Sequence, residues 1–321
     1  MLKSDDGGER PTSAPLSDVG RAIRELGNEI ETYTDAMIKR AKRPDVLLHF
    51  TDSAGLIGIL QGQVLWASLA TALNDASETT VALDLFAFAG PMAIARSRHL
   101  HYDFLEKVFK GELRLEGDDR PTDYRTYVTS LCAEDVAVHW MQYGRGGTGV
   151  ALEFDANALA NRHQFRLCKV IYDTAQQFAC LRGLIEIIDR FLDRRLPTGS
   201  TDQADAFKVA AAGLLHSFIK MTAPQMKDVA FGAEDEWRLF SSEAWVKPEK
   251  VNEQTRTTKF RSAANRIVPY KEVSVPAASI RGIRLGYSCS IREDEQALRV
   301  LMDECLHRQV PITRSLIAVR P

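Results

Sequence analysis

The chain has 321 residues, of which 45% are hydrophobic and 26% charged, and its formal net charge at pH 7 is −2. These values are typical of a soluble globular protein and exclude a strongly basic nucleic-acid-binding protein, while leaving room for a local basic patch. The 5 cysteines show no CxxC spacing. This pattern favours reduced thiols in a cytoplasmic protein and argues against a metal site. We find neither an apolar run of roughly 18 residues nor a signal peptide, so we expect no membrane association.

The chain begins with a segment rich in Ser, Gly, Asp and Pro, and we expect a disordered tail over residues 1–15. Residues 16–43 have a helical pattern, because apolar side chains recur at steps of three and four. This stripe consists of Val19, Ile23, Leu26, Ile30, Tyr33 and Met37. It indicates an N-terminal amphipathic helix that packs on its own domain or forms a homodimer, and we favour the first. Residues 44–321 then form a single domain.

That domain opens with a strand at Val46–Phe50, a polar turn, a short helix at Ala54–Gln61 and a second strand at Val64–Ala67. Asp75 and Glu78 have the spacing of a capping box at the start of a longer helix. Ligands often bind at such strand ends and helix starts, because unpaired backbone N–H groups point outward there.

Further along, Tyr124–Cys132 and Thr148–Phe154 have the composition of strands. Two helices over residues 174–195 and 202–222 predict a helical insertion at about 174–225 in a β-rich core. After them a loop with two carboxylates, Glu234 and Glu236, runs directly into another strand.

Three separated elements therefore carry polar side chains beside predicted strands: His49 with Thr51, Ser130, and the Glu234-x-Glu236 loop. A carboxylate with ribose-binding polar groups suits the cleavage of a glycosidic bond through an oxocarbenium ion, and this chemistry needs no metal.

Each of these features also has a plain structural interpretation. His49 at a strand end is typical of a hydrogen-bonded, half-buried residue, and the two glutamates of a solvated acidic loop. The pair Trp140 and Tyr143 is typical of a core, and Asn74-Asp75 of a helix cap. Cys132 is more typical of a buried, inert thiol than of a reactive one.

Several motifs resemble the DUF2971 family, a group of mostly bacterial proteins of uncharacterised function, over roughly residues 46–320. They are His49-Phe50-Thr51, Leu73-Asn74-Asp75-x-Ser77-Glu78, Trp140-x-x-Tyr143-Gly144 and Glu234-x-Glu236-Trp237-Arg238. One departure is Ser130-Leu131-Cys132, where the family usually has Phe-Ser at the last two positions.

The His-x-Thr opening also resembles ADP-ribosyltransferase toxins of the DarT type. That resemblance implies that His49 hydrogen-bonds the NAD ribose, that Phe50 contacts the carboxamide through its backbone with support from Thr51, and that Ser130 lines the floor of the NAD site. Glu236 would stabilise the oxocarbenium ion and Glu234 would face the acceptor, so that the catalytic residues would be Glu236, His49 and Glu234. The remaining expected NAD-binding residues are Asn74, Asp75, Trp140, Tyr143 and Arg238.

We therefore expect an α+β fold with a split, mostly antiparallel β core of the ADP-ribosyltransferase kind, a helical insertion and an extra N-terminal helix. The expected function is transfer of ADP-ribose from NAD, as substrate, to a macromolecular acceptor, either protein or nucleic acid, in a toxin or phage-defence role. The alternatives are an NAD glycohydrolase and a non-catalytic module that binds a nucleotide or a protein.

Overall fold

The computed structural model describes residues 14–73, 81–113, 124–160, 164–196, 201–244, 257–263, 265–289 and 295–317. Its helices are α1 Ala14–Ile38, α2 Ser53–Gly62, α3 Val81–Ile94, α4 Tyr102–Phe109, α5 Ala137–Gln142, α6 Ala156–Ala160, α7 Thr174–Arg195, α8 Thr201–Thr222 and α9 Glu295–Leu306. Its strands are β1 Val46–Thr51, β2 Val64–Leu69, β3 Tyr124–Cys132, β4 Val150–Asp155, β5 Arg166–Lys169, β6 Glu236–Ala244, β7 Lys259–Ala263, β8 Arg266–Ser274, β9 Ile280–Leu285 and β10 Ile312–Arg314. The helix α1 starts inside the expected tail, and Asn74 and Asp75 lie outside the described residues.

The described strands form one 10-stranded sheet in the order β10-β9-β4-β1-β3-β2-β8-β7, while β6 pairs with β3 and β5. Only β10 and β9 run parallel among these pairs. The molecule is therefore an α+β protein with a mostly antiparallel sheet, as the sequence predicted.

The strand β3 is the point at which this sheet divides. One of its edges pairs with β6 along its whole length, from Tyr124↔Ala244 to Cys132↔Glu236. The other edge is shared, because β1 pairs with it at Leu48↔Cys132 and β2 at Ser68↔Val128 and Leu69↔Tyr127. The strands β1 and β2 thus both leave β3 between Val128 and Cys132, and this division opens a gap in the sheet.

The helix α1 packs on α7 and α8, which lie in the chain between β5 and β6. Leu26 and Ile30 in its apolar stripe are fully buried in a core shared with those helices. At the C-terminal end of α7, Arg194 pairs with Glu29 of α1 at 2.6 Å and Arg195 pairs with Glu25 of α1 at 2.5 Å. The stripe therefore packs on its own chain, and a homodimer through residues 16–43, which would need other faces of α1, stays a prediction.

The helix α2 is fixed at both ends by local interactions. The Asp52 carboxylate caps it by accepting from the Gly55 backbone N–H at 2.8 Å. Gln63 ends it in the left-handed conformation, with φ 49°, so the helix extends one residue beyond the expected end at Gln61. Within the described residues no helix is both long and apolar enough to cross a membrane.

Candidate functional site

A small cavity of about 50 Å³ lies where β1 separates from β3. It is lined by Leu48, His49, Phe50, Ser130, Leu131, Cys132, His139, Tyr143, Glu234 and Glu236. Side chains from β1, β3, α5 and the segment leading into β6 thus meet at the division of the sheet.

The strand register explains why these residues meet. Residues directly opposite each other in an antiparallel pair share one face of the sheet. Cys132 is opposite Leu48 on one side and Glu236 on the other. Ser130 lies two residues before Cys132 and therefore points to the same face. A carboxylate, a hydroxyl and a thiol that are distant in sequence are thereby placed beside one another.

His49 connects the two separating strands. Its Nδ1 lies 3.0 Å from the backbone carbonyl oxygen of Ser130 and donates to it, so the imidazole replaces the backbone N–H that a continued ladder would supply. Burial lowers the pKa of His49 below its ordinary value of 6.5, and the bond to Ser130 opposes this only in part. The ring is therefore neutral at pH 7 with its proton on Nδ1, so that Nε2 is an acceptor on a side chain that lines the cavity.

Glu236 is buried and charged. Its carboxylate accepts two hydrogen bonds from Arg238, at 2.8 Å from Nε and 3.0 Å from Nη2, and Lys227 Nζ lies 3.5 Å away. Burial by itself would raise the pKa of Glu236, but Arg238, Lys227 and a hydrogen bond from the Ser130 side chain outweigh it and hold the pKa below 4.5. The carboxylate is thus ionised at neutral pH.

Glu234 is also buried, and its Oε2 accepts from Lys227 Nζ at 2.7 Å. One lysine therefore lies between the two carboxylates. Asp235, which separates them, is in the left-handed conformation with φ 42°. Its backbone carbonyl and its carboxylate both contact Lys169 Nζ, at 2.8 and 2.5 Å. The interpretation of these glutamates as a solvated acidic loop is wrong, because of the three acidic residues only Asp235 is exposed.

An aromatic stack forms another wall of the cavity. The His139 ring lies parallel to Phe50 with centroids 5.2 Å apart, and to Tyr143 with centroids 6.2 Å apart. His139 Nε2 donates to the backbone carbonyl of Glu234 at 2.7 Å. Burial lowers the pKa of His139 despite this bond. The short helix α5 is thereby tied to the segment that carries the carboxylates.

Six of the residues predicted from sequence line this cavity: His49, Phe50, Ser130, Tyr143, Glu234 and Glu236.

The other predicted residues in the described part of the chain lie outside the lining. The Thr51 hydroxyl is directed at Gly55, where a Cβ would come within 1.9 Å of its oxygen. Trp140 is fully buried behind Phe50, with ring centroids 4.7 Å apart. Arg238 is buried as well, and its Nη1 donates to the Pro224 carbonyl at 3.0 Å. The polar atoms of Trp140 and Arg238 already bind protein groups, so the expected direct contact of these two side chains with NAD does not fit this geometry, while that of Thr51 stays a prediction.

Sequence reasoning missed three contributors to the site. His139 lies between predicted residues, but a histidine in a short helix gives no signal by itself. Lys227 is 3% exposed, and nothing in its surroundings in sequence predicts a buried lysine. The Tyr172 hydroxyl accepts from the Glu236 backbone N–H at 3.1 Å, and burial raises the pKa of Tyr172. The contacts of His139 with Glu234 and of Tyr172 with Glu236 join residues that lie 95 and 64 positions apart in the sequence. Lys227 and Glu234 lie only 7 positions apart.

Among the described residues, no three His, Cys, Asp or Glu side chains are grouped so that they could hold a metal ion.

Fold and site together define an α+β protein whose divided sheet holds a buried pair of ionised or ion-paired glutamates beside a neutral histidine. A family model described as "Protein of unknown function (DUF2971)" matches residues 139–239. The matched segment runs from His139 to Leu239 and so includes both glutamates, Lys227 and Arg238. This match supports the assignment of the chain to that family. No curated protein was found to match the sequence.

Proposed function

We propose that this protein cleaves NAD at the nicotinamide–ribose bond and transfers ADP-ribose to a macromolecular acceptor, with a β core of the ADP-ribosyltransferase kind. The observation that carries the proposal is the meeting of His49, Ser130 and Glu236 at one cavity in the division of the sheet. The resemblance of the opening motif to DarT-type toxins implies the same three positions.

In the proposed reaction the C–N bond to nicotinamide breaks and its electron pair leaves with nicotinamide, so that positive charge develops on the ribose. The ionised Glu236 stabilises that charge and accepts a hydrogen bond from a ribose hydroxyl. The acceptor nucleophile then attacks C1′ and loses its proton to a base. We assign that base to Glu234, whose carboxylate shares Lys227 with that of Glu236. His49 Nε2 accepts from the other ribose hydroxyl.

Arg238 and Lys227 have two opposing effects on this chemistry. They keep Glu236 ionised, yet they also offset part of the charge that it presents to the cavity. The net stabilisation therefore depends on how far a bound substrate draws the carboxylate away from the guanidinium group.

The size of the cavity sets a further requirement. About 50 Å³ holds a few water molecules, whereas sites for small ligands are usually about 300–1,000 Å³. Tyr143 is 44% exposed and lies at the end of the aromatic stack. Entry of nicotinamide would thus need the Tyr143 side chain to rotate outward. The nicotinamide ring would then stack on His139 in its place.

The test is release of nicotinamide from NAD, with and without cell extract, by the wild type and by Glu236→Gln. Release only with extract supports transfer, and release without extract supports the glycohydrolase alternative. Glu243→Gln is the matched control, because Glu243 lies on the same strand, pairs with Lys271 and is distant from the cavity. Equal release by wild type and Glu236→Gln would contradict the proposal.

A non-catalytic binding module is the second candidate, and two observations favour it: the small cavity and the compensated charge of Glu236. In that case NAD or another nucleotide binds without release of nicotinamide under either condition.

A toxin or phage-defence role in the cytoplasm predicts that expression of the wild type, but not of Glu236→Gln, slows the growth of the host cells.

A further inference from the structure

Asp135 lies in the short loop between β3 and α5, behind the candidate site. It is outside the cavity lining and none of the assigned roles includes it. Its carboxylate receives three contacts from separate parts of the chain. Oδ1 accepts from Trp140 Nε1 at 2.5 Å and from the Ser315 hydroxyl at 3.0 Å, and Oδ2 lies 3.3 Å from Arg284 Nη1.

The contact with Trp140 leads directly to the cavity wall. Trp140 is 0% exposed and packs edge-on against Phe50, which in turn stacks on His139. Because Trp140 and His139 are neighbours on α5, the bond from Asp135 fixes the rotation of this helix about its axis. That rotation decides where the rings of His139 and Tyr143 stand at the cavity.

The contact with Ser315 leads to the end of the described chain. Ser315 follows β10, is 5% exposed, and its backbone N–H donates to the Leu285 carbonyl at 2.8 Å. The Ile317 backbone N–H bonds to the Ser315 hydroxyl at 3.3 Å, and Ile317 packs against the small core that contains Phe50 and Trp140. The C-terminal segment is thus joined to the back of the site through one carboxylate oxygen.

We propose that Asp135 is a positioning residue, which holds α5 through Trp140 and uses Ser315 and Arg284 to fix its own carboxylate. Loss of its acceptor oxygen turns α5 and moves the wall formed by His139 and Tyr143. The expected effect on nicotinamide release rests on the proposed function, whereas the expected effect on α5 does not.

The experiment compares hydrogen exchange of the backbone amides in Asp135→Ala, Asp135→Asn and the wild type. Asn keeps an acceptor oxygen for Trp140 and Ser315 and loses only the charge toward Arg284, whereas Ala loses all three contacts. We expect exchange over residues 137–143 to rise about five- to tenfold in Asp135→Ala and less than about twofold in Asp135→Asn. Asp155→Ala is the matched control, since Asp155 is the last residue of a strand, accepts from the Ala158 N–H and pairs with an arginine, Arg281.

Steady-state release of nicotinamide adds a second measurement. A displaced wall raises KM about ten- to a hundredfold in Asp135→Ala, and Asn restores most of the loss. Unchanged exchange over residues 137–143, or a rise spread evenly over the whole chain, would overturn the positioning role. If exchange changes as expected while no variant releases nicotinamide, the proposed function fails and the role of Asp135 stands.

Ser315→Ala covers the case in which Asp135→Ala fails to fold, since it removes one donor and leaves the aspartate in place. Its expected effect is a smaller rise in exchange over the same residues 137–143. Combined with Asp135→Ala where that variant folds, it should add little to the single effect, because Asp135→Ala already removes the oxygen that accepts from the Ser315 hydroxyl. Additive effects, or a rise confined to residues 312–317, would contradict the coupling.

Discussion

His49 Nδ1 donates to the backbone carbonyl oxygen of Ser130 across a 3.0 Å contact, at the place where β1 leaves β3. A side chain here performs the task of a backbone amide, so His49 belongs both to the scaffold and to the cavity. Simple removal to alanine would disturb both at once, with a cost of about 1–3 kcal/mol for the unpaired carbonyl alone.

Two substitutions separate these tasks. The amide nitrogen of asparagine lies near the position of Nδ1, and that of glutamine near Nε2. His49→Asn should therefore keep a melting temperature close to that of the wild type and bind NAD roughly three- to a hundredfold more weakly. His49→Gln should lose more stability. Calorimetry gives the NAD affinity and melting curves give the stability, with a variant of the exposed His101, His101→Ala, as control. An NAD affinity of His49→Asn equal to that of the wild type would assign His49 to the scaffold alone.

Glu236→Gln should lower both activity and stability. Loss of charge stabilisation in a transition state typically reduces the rate about 10²–10³-fold. The change also leaves Arg238 and Lys227 partly uncompensated in a buried place, which typically costs about 3–5 kcal/mol. Release of nicotinamide must thus be measured well below the melting temperature of the variant, beside Glu243→Gln. An unchanged melting temperature would contradict the buried ion pair.

Lys227→Met tests the charge between the two glutamates. We expect a loss of several kcal/mol in the free energy of unfolding, because Lys227 at 2.7 Å then no longer balances the buried Glu234 carboxylate. Adding Glu234→Gln removes that charge and should recover part of the loss, so that the double variant is more stable than Lys227→Met alone. Urea unfolding measures both. Lys259→Met is the control, since Lys259 pairs with Glu272 on the exposed side of the sheet.

Acidification should destabilise the protein in two steps. Burial lowers the pKa of both His49 and His139 below 6.5, so the unfolded chain takes up their protons first and stability is lost as the pH falls below about 6.5. The pKa of Glu236 is held below 4.5, so its contribution is present above that pH and is lost as the pH falls further. Urea unfolding at several pH values checks this. A free energy of unfolding that rises on acidification from pH 7 to 6 would contradict the first step.

Cys132 should behave as an inert thiol although it lines the cavity. Burial raises its pKa to about 12, and its Sγ donates to the Glu134 carbonyl at 3.1 Å. Because the thiolate is the reactive form, alkylation at pH 8 should reach the half-buried Cys305 first and leave Cys132 unmodified until urea is added. Peptide mapping after a short treatment distinguishes the two. Early modification of Cys132 in the folded protein would show that the cavity opens readily.

The sequence by itself determined the local parts of this protein. The apolar stripe of residues 16–43 predicted α1, short apolar runs predicted β1 and β2, and a run of β-branched and aromatic residues predicted β3, because periodicity and propensity act over a few residues. The loop Glu234-x-Glu236 was predicted as a candidate site from its position just before a strand together with the resemblance to known families. The sequence also indicated that the stripe packs on its own chain.

Only the tertiary structure decided which charges and rings meet. Lys227 and Arg238 surround Glu236 within one buried network, and Arg238 supports that carboxylate where the sequence had suggested a contact with NAD. Trp140 packs behind Phe50, and His139 stacks on Phe50 in the aromatic wall of the cavity. Burial and strand register fix these relationships, and both arise from residues far apart in the chain. The division of the sheet at β3 is likewise a property of pairing between β1, β2 and β3, which no local pattern encodes.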